Sequence, residues 1–478
     1  MRPPRNLWLV PALLAVVVIS AGAHGLLLSS SPAQGENLVV APREIRLVFS
    51  ERPERVFTRI SLLSPDGASV ALDTIFIGPG HTATARILGP LRPGLHTVTW
   101  RTVGRDGHPV GGDFTFSIAA DAAGIAPPGA AAAPLPAGRQ PGIAAPAVSS
   151  TSAALTPLSA VLRWVTLLAL LAAVGAVFFR LVVISRVARD MDPEISTQYL
   201  PGITRGAARL GLTAAAALLV VAVAQLAIQL RALDGAAADG PGMGAMLTGS
   251  LWGWAWLLKV ATALTAAAAF ALIRRPEDRA WLLAAGASVG AVVSVAVSGH
   301  AVVVPQLVAL TVIAHVVHTV AAAGWLGMLL VIAIVGLPHA FRLDRDDRWT
   351  VVADIVHAFS PVALAFAAVT VLAGVFMSWT HLPSVDALWT SEYGRLLLVK
   401  VGLVAGTALV GAYNWLRVRP SLGAQAGARR LRRSAASELG IAALVVAVTA
   451  VLVATPMPEP AAREAAAGTT ETGGVRNP

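Results

Sequence analysis

The sequence predicts two parts of different fold class: an N-terminal all-β Greek-key sandwich or barrel, and an all-α polytopic membrane domain with about eight transmembrane helices. Hydrophobic residues make up 56% of the 478 residues and charged residues only 13%, which is too apolar for a soluble protein of ordinary size. Short alternating segments occur before residue 120, and long apolar stretches recur after residue 157. The net charge of +10 comes from arginine clusters between these stretches, a pattern typical of membrane topology and not of nucleic-acid binding.

Residues 1–23 form a predicted signal peptide. Two arginines precede an apolar stretch at residues 7–19, and small residues at 21–23 give the A-x-A pattern of a signal peptidase site. Cleavage there makes His24 the first mature residue, so its α-amino nitrogen and its ring nitrogen can hold the same metal ion. The alternative is an uncleaved signal anchor in which His24 is a loop residue.

Residues 24–119 form the predicted β-domain, in which short alternating strands are broken by Gly, Pro and Asp and no helical period appears. A turn at residues 105–109 joins two of the strands, and it places Asp106 and His108 two residues apart. If this turn approaches the amino terminus, His24, Asp106 and His108 supply nitrogen donors and one carboxylate to a single ion.

The donor types favour copper at this position. The chain has no cysteine, which excludes disulfides, thiolate zinc sites and iron–sulfur clusters. Nitrogen and oxygen donors in a tetragonal arrangement suit Cu(II), which also binds most tightly among the divalent ions. Asp-Gly-His-Pro is also a good turn sequence, and spacing alone favours a plain turn.

The motifs of this domain resemble those of the periplasmic copper protein family CopC over residues 24–119. The matching residues are His24, Ser31-Pro32, Gly35, Ala41-Pro42, Phe49-Ser50-Glu51, Trp100-Arg101, Asp106-Gly107-His108-Pro109 and Phe114-Thr115-Phe116. The resemblance implies that His24, Asp106 and His108 are Cu(II) ligands and that the Glu51 carboxylate lies near the site.

Other residues of the β-domain carry no ligand prediction. Some CopC members have a methionine-rich Cu(I) site, but no methionine occurs between His24 and Met191, so a Cu(II)-only domain is predicted. His81 and His96 match no motif, and both are predicted to be solvated strand or loop residues.

Residues 120–157 are rich in Ala, Pro, Gly and Ser and predict a semi-extended linker on which the β-domain can move. The membrane domain covers residues 158–456, and a polar, disordered tail is predicted at 457–478. Eight stretches are apolar and long enough to span a bilayer: about 158–183, 207–230, 251–273, 280–299, 306–337, 354–378, 395–416 and 437–455.

The charges of the loops predict the orientation of the spans. An exported N-terminal domain requires the first span to run from outside to inside, and the arginine clusters then fall in the loops predicted inside. The predicted location is therefore a bacterial inner (plasma) membrane, in contact with lipid, with the β-domain on the periplasmic or extracellular side.

Histidines and one methionine are the candidate transport groups of the membrane domain. His315 and His318 share a helical face and lie about 13 to 18 Å below the outer surface, where ionisable groups are usually functional. The alternative is a hydrogen bond that only packs helices. His300, Met377 and His381 lie at outer ends of spans and could line a vestibule, although each alone could be an ordinary loop or packing residue. Ala323 and Gly327, four residues apart, predict close helix packing.

A second resemblance, to the copper-associated membrane protein family CopD, covers residues 300–420, whereas the first four spans resemble it mainly in hydropathy. The matching residues are Gly299-His300-Ala301, His318, Trp325-Leu326-Gly327, Phe359-Ser360-Pro361, Tyr393-Gly394-Arg395-Leu396-Leu397-Leu398, Lys400 and Asn414. One departure is Met328, where the family usually has a second glycine.

A CopC-like domain fused to a CopD-like domain resembles bacterial copper-uptake proteins, which implies copper import and no enzyme activity. ATP-driven pumping is not expected because the chain lacks a phosphate-binding loop and a phosphorylation motif. A potential negative inside favours cation entry by about 2.3 kcal/mol per charge per 100 mV. Extracytoplasmic copper donors are the expected partners. The alternatives are copper sequestration or delivery without transport and, less favoured, an oxidative copper enzyme.

Overall fold

The computed structural model describes residues 27–49, 52–103, 109–119, 157–234, 243–276, 278–298, 308–418 and 425–455. The predicted signal peptide, most of the linker and the C-terminal tail lie outside the described residues. The described chain falls into two compact units. One contains residues 157–222 and the residues from 258 onward, and the other contains the β-domain together with residues 223–257.

The described residues of the β-domain form nine strands in two sheets. Their bounds are β1 Leu27–Ser31, β2 Asn37–Leu38, β3 Glu44–Phe49, β4 Arg59–Leu63, β5 Ser69–Val70, β6 Phe76–Ile77, β7 Thr82–Arg86, β8 Gly94–Val103 and β9 Pro109–Ile118. One sheet has the order β1-β3-β7-β6 and the other the order β2-β9-β8-β4-β5. The chain passes repeatedly between the sheets, and neighbouring strands are antiparallel except β2 and β9.

Alternating apolar residues of both sheets form the core of the β-domain. Ile45, Leu47 and Phe49 follow one another at a spacing of two along β3, and all three are buried, because successive side chains of a strand point to opposite faces. They share one core cluster with Trp100 and Phe116 of the other sheet. The predicted all-β class of this domain is confirmed.

His96 is a core residue, so the prediction that it is solvated was wrong. Its side chain is 0% exposed, and its Nε2–H donates to the carbonyl oxygen of Arg92 at 2.8 Å. The imidazole ring stacks on Phe116 with a centroid distance of 5.3 Å. Sequence pattern misjudged this residue because a stacked histidine can take an apolar position of a strand.

The rest of the described chain is helical. The α-helices are α1 Pro157–Phe178, α2 Ser185–Asp190, α3 Pro193–Asp234, α4 Met243–Gly249, α5 Leu251–Leu272, α6 Ala280–Val297, α7 Val308–Ala322, α8 Met328–Val331, α9 Leu337–Ala340, α10 Arg345–His381, α11 Ala387–Thr390, α12 Glu392–Tyr413 and α13 Gln425–Leu452. Wider π-helical turns occupy Phe179–Ile184, Ala323–Gly327, Ile332–Gly336 and Asn414–Val418.

Seven helical segments of the described chain are long and apolar enough to cross a membrane. A shorter apolar segment, Ala436–Leu452 within α13, corresponds to the eighth predicted span. The predicted polytopic all-α class of the second domain is confirmed.

The close packing predicted at Gly327 is a backbone contact between α1 and the π-helical turn Ala323–Gly327. A Cβ atom at Gly327 would lie 2.2 Å from the carbonyl oxygen of Leu171, and one at Gly175 would lie 2.3 Å from the carbonyl carbon of Gly327. These atoms belong to main chain, so a side chain at either glycine forces the two helices apart.

The variant Gly327→Ala is therefore expected to lower the free energy of unfolding by about 1–3 kcal/mol or more, the usual cost of overpacking. Thermal unfolding of the purified protein in detergent, followed by loss of helicity, measures the effect. Gly402→Ala is the matched control, because a Cβ at Gly402 would meet no atom within 4 Å and alanine is the better helix former. Equal midpoints for the two variants would contradict the contact.

Candidate metal centres

The predicted Cu(II) ligands of the β-domain, His24, Asp106 and His108, lie outside the described residues, as does the neighbouring Glu51. The structure does describe the strand ends that lie next to these residues in the sequence. Leu27, at the start of β1, pairs with Phe49, at the end of β3. Residue 103, which precedes the predicted copper turn, pairs in the β8–β9 ladder with residue 109, the last residue of that turn.

Aromatic packing brings these strand ends to one end of the sandwich. Phe49 and Trp100 make an edge-to-face contact with a centroid distance of 5.1 Å. Phe49 comes directly before the segment that contains Glu51, and Trp100 lies three residues before the end of β8. The described strand ends of β1, β3 and β8 that adjoin the predicted ligands in the sequence therefore lie near one another.

His318 is the best-defined candidate ligand in the helical domain. Its Nδ1–H donates to the backbone carbonyl oxygen of Thr370 on α10 at 2.9 Å, because a carbonyl can only accept. The neutral tautomer is thereby set, and the Nε2 lone pair is left to bind a metal ion. Metal-binding histidines commonly donate their second ring N–H to a carbonyl or carboxylate in this way.

Gly374 makes this hydrogen bond possible. A Cβ atom at Gly374 would lie 3.3 Å from Cε1 and 3.5 Å from Nδ1 of His318. The absence of a side chain thus lets the imidazole ring of α7 approach the backbone of α10. Sequence reasoning missed Gly374 because nothing in its local pattern separates it from any other glycine in an apolar helix.

Two further basic groups lie close to His318. Both His315 and Lys400 interact with it electrostatically, and His315 also shares its helical face. The ion pairs found among the described residues are Arg46–Glu44 and Arg92–Asp66, both in the β-domain. Neither of the ion pairs that the structure shows among its described residues involves Lys400.

Met377 and His381 lie on the same stripe of α10 that contacts His318. Thr370, Gly374, Met377 and His381 are spaced by four, three and four residues, which places them on one helical face. The stripe from Gly374 to His381 is about 10 Å long at 1.5 Å per residue. His381 Nδ1 lies 3.2 Å from the hydroxyl oxygen of Tyr393, which orients the ring.

The structure thus places two of the predicted transport residues, Met377 and His381, on the face that meets His318, with His315 nearby. His300 lies outside the described residues. No group of three or more His, Asp or Glu side chains within the described ranges is close enough to hold a metal ion. A thioether or a residue outside those ranges would have to complete any site here.

Sequence reasoning missed a buried polar network in the last two helices. Asn414 Nδ2 donates to Glu438 Oε1 at 2.7 Å, and the Ser434 hydroxyl donates to Asn414 Oδ1. Glu438 is only 7% exposed. The signal was present, because Glu438 is an acid within an apolar stretch, and such groups usually mark ion pathways or paired sites.

Three family models match successive parts of the chain. The CopC domain matches residues 27–119, the copper resistance protein D-like N-terminal domain matches 153–305, and copper resistance protein D matches 353–452. The chain is a fusion of CopC and CopD domains. The resemblance inferred from its motifs is confirmed, and the first four spans, matched from the sequence mainly by hydropathy, have a family model of their own. His315 and His318 lie between the two CopD-related matches.

Relatives of known name agree with this assignment. The copper transport protein CutJ of Bacillus subtilis is 27% identical over 469 residues, which cover 96% of this chain and 79% of that protein. Copper resistance protein C of Escherichia coli is 34% identical over 113 residues, covering 21% of this chain and 86% of that protein. The chain therefore belongs to a family of multi-pass copper-resistance and copper-transport proteins.

A solved structure of PcoC, a methionine-rich copper resistance protein from Escherichia coli, is similar to the CopC domain. It shares 30% sequence identity and covers 20% of this chain and 99% of that chain, with a TM-score of 0.19. The CopC domain of this chain lacks methionine after residue 24.

Proposed function

We propose that this protein imports copper across a bacterial plasma membrane. The CopC domain captures Cu(II) at the outer face with His24, Asp106 and His108, close to Glu51, and the CopD domain passes copper inward. The observation that supports this proposal most is the geometry of His318. Its Nδ1–H donates to the Thr370 carbonyl, so its Nε2 lone pair is left for a metal ion beside the α10 stripe that carries Met377.

We further propose that the ion in the membrane domain is Cu(I). A thioether such as that of Met377 and a neutral imidazole are suitable ligands for the softer monovalent ion. Lys400 lies within electrostatic range of His318, and the Coulomb repulsion that a protonated lysine exerts on a divalent ion is twice that on a monovalent one. The step from Cu(II) to Cu(I) takes up one electron, which a reductant other than this chain would have to supply.

The proposed pathway starts at an outer vestibule that His300, Met377 and His381 line. It continues along the α10 stripe to His315 and His318. The signal peptide and the arginine-rich loops support this orientation, because the N-terminal domain is exported and positive loops stay inside.

Uptake of radioactive copper into right-side-out vesicles tests the proposal. The double variant His24→Ala with His108→Ala is expected to reduce the initial rate by about tenfold or more at limiting copper, because capture by the CopC domain feeds the membrane pathway. His81→Asn is the matched control: it removes a histidine of the same domain, and asparagine tolerates the positive φ of 59° at this position.

Copper sequestration without transport is a second candidate. The lack of a three-ligand group among the described helices favours it, since the helices would then serve only as an anchor and docking surface. Uptake that is unchanged in the double variant His315→Ala with His318→Ala would support sequestration and contradict import.

A further inference from the structure

Phe57 of the CopC domain belongs to an apolar cluster outside the sandwich core. It ends a short 3-10 turn, Arg55–Phe57, that follows Glu51 closely in sequence. Its side chain is 5% exposed and packs against Met246, which is 0% exposed. The remaining members of the cluster are Leu226, Leu230, Leu247 and Trp252. Phe57 is therefore packed against apolar residues of the helical part of the chain.

The partners of Phe57 lie at the end of α3, in α4 and at the start of α5. These helix segments, residues 223–257, are called the α3–α5 hairpin here, and they belong to the same compact unit as the CopC domain. The short helix α4 within this hairpin is held firmly. The Ser250 hydroxyl donates to the carbonyl oxygen of Met246 at 2.8 Å and accepts from the Gly253 N–H at 3.0 Å. A Cβ at Gly253 would lie 2.3 Å from the carbonyl oxygen of Leu247. These hydrogen bonds and this close backbone contact fix the position of α4 against the start of α5, and α4 provides the surface that Phe57 contacts.

A chain of hydroxyl groups connects the Phe57 turn with strand β8. Thr58 Oγ1 donates to the carbonyl oxygen of Glu54 at 2.8 Å and lies 2.8 Å from Thr102 Oγ1. A hydroxyl has only one proton, so Thr102 must be the donor in the second bond. Thr58 and Thr102 are 1% and 2% exposed, which makes both hydrogen bonds costly to break.

Thr102 lies almost at the end of β8, immediately before the turn that carries two of the proposed copper ligands. The residue before the Phe57 turn, Glu54, is three positions after Glu51. The hydroxyl chain therefore joins the end of β8, which precedes two proposed ligands in the sequence, to the turn that carries Phe57 and contacts the hairpin.

We propose that the CopC domain docks on the α3–α5 hairpin by inserting Phe57 beside Met246, and that copper occupancy changes this docking through Thr102, Thr58 and Glu54. The coupling rests on the proposed Cu(II) site, whereas the docking does not. The linker favours the docked state because it keeps the domain at an effective concentration of about millimolar near the hairpin.

Photo-crosslinking of the full-length protein in membranes tests the docking. The photoreactive analogue p-benzoylphenylalanine replaces Phe57 in one sample and Phe76 in the control sample. Phe76 is a phenylalanine of the same domain that is 67% exposed. Without copper, the probe at position 57 is expected to form crosslinks to α4, identified by peptide mapping, at roughly fivefold or higher yield than the probe at position 76. Equal yields, or crosslinks elsewhere, would overturn the docking.

The same crosslink with and without Cu(II) tests the coupling. Copper is expected to change the yield at least about twofold in the parent protein and in Thr58→Ser, which retains the hydroxyl, but not in Thr58→Val, which removes it. A copper effect that survives in Thr58→Val would overturn the coupling. If Thr58→Val does not fold, Thr102→Val removes the same bond from the other side.

Failure of the proposed function gives a different result. If His24 and His108 do not bind copper, the parent protein shows no Cu(II) spectrum and no copper effect on crosslinking, but the copper-free crosslink to α4 still forms. Loss of that copper-free crosslink refutes docking whatever the copper site does.

Discussion

Replacing His24 with alanine is expected to weaken Cu(II) binding by the full-length protein by more than about 100-fold, because even residues that only orient a metal ligand cost about 10–100-fold when changed. The amino-terminal histidine supplies two of the proposed nitrogen donors, from its α-amino group and its ring. The variant loses the ring nitrogen but keeps the α-amino group of residue 24 and the His108 ring, so nitrogen hyperfine coupling in the tetragonal Cu(II) spectrum should weaken by one imidazole. Titration against a competing chelator and electron paramagnetic resonance measure the two effects.

A variant with one glycine inserted before His24 separates the two nitrogen donors. It keeps the imidazole but removes the α-amino group from the chelate, so it should lose most of the affinity. His81→Asn should bind Cu(II) as the parent does. A mature protein whose first residue, by mass spectrometry, is not His24 would contradict the proposed site, as would a glycine insertion that leaves affinity unchanged.

The second large effect is expected at His318. The variant His318→Ala removes the Nε2 ligand and should reduce copper uptake by vesicles to the level of vesicles without the protein. Gly374→Ala leaves the histidine in place but puts a methyl group 3.3 Å from its ring. It should displace the imidazole from the Thr370 carbonyl and lower uptake by about 10–100-fold, as expected for loss of an orienting contact.

Thr370→Val is the matched control for both variants. It removes the Thr370 hydroxyl, which bonds to Phe366 in the same helix, but retains the backbone carbonyl that accepts from His318. Uptake should therefore stay near the parent value. Normal uptake by folded His318→Ala protein would exclude this histidine from the pathway.

Some side-chain contacts could be expected from the sequence and others could not. Gly327 was predicted to pack closely, because small residues four apart mark helix contacts, but its partner Gly175 is more than 150 positions away. His96 was misassigned because a polar residue usually predicts exposure to solvent, whereas this imidazole ring stacks on Phe116 in the core. Met377 and His381 were identified by residue type, while the stripe that joins them to His318 depends on which face of α10 meets α7.

The sequence alone predicts the order of the domains, the fold class of each and the apolar spans. It also provides the proposed set of copper ligands. These features depend on local periodicity, composition and short motifs, all of which are formed by residues close together in the sequence. Only the tertiary structure decided that a backbone carbonyl sets the tautomer of His318, that Gly374 admits its ring, and that Phe57 is buried beside Met246. A carbonyl group has no residue-specific signature, and contacts between distant positions arise only when the chain packs.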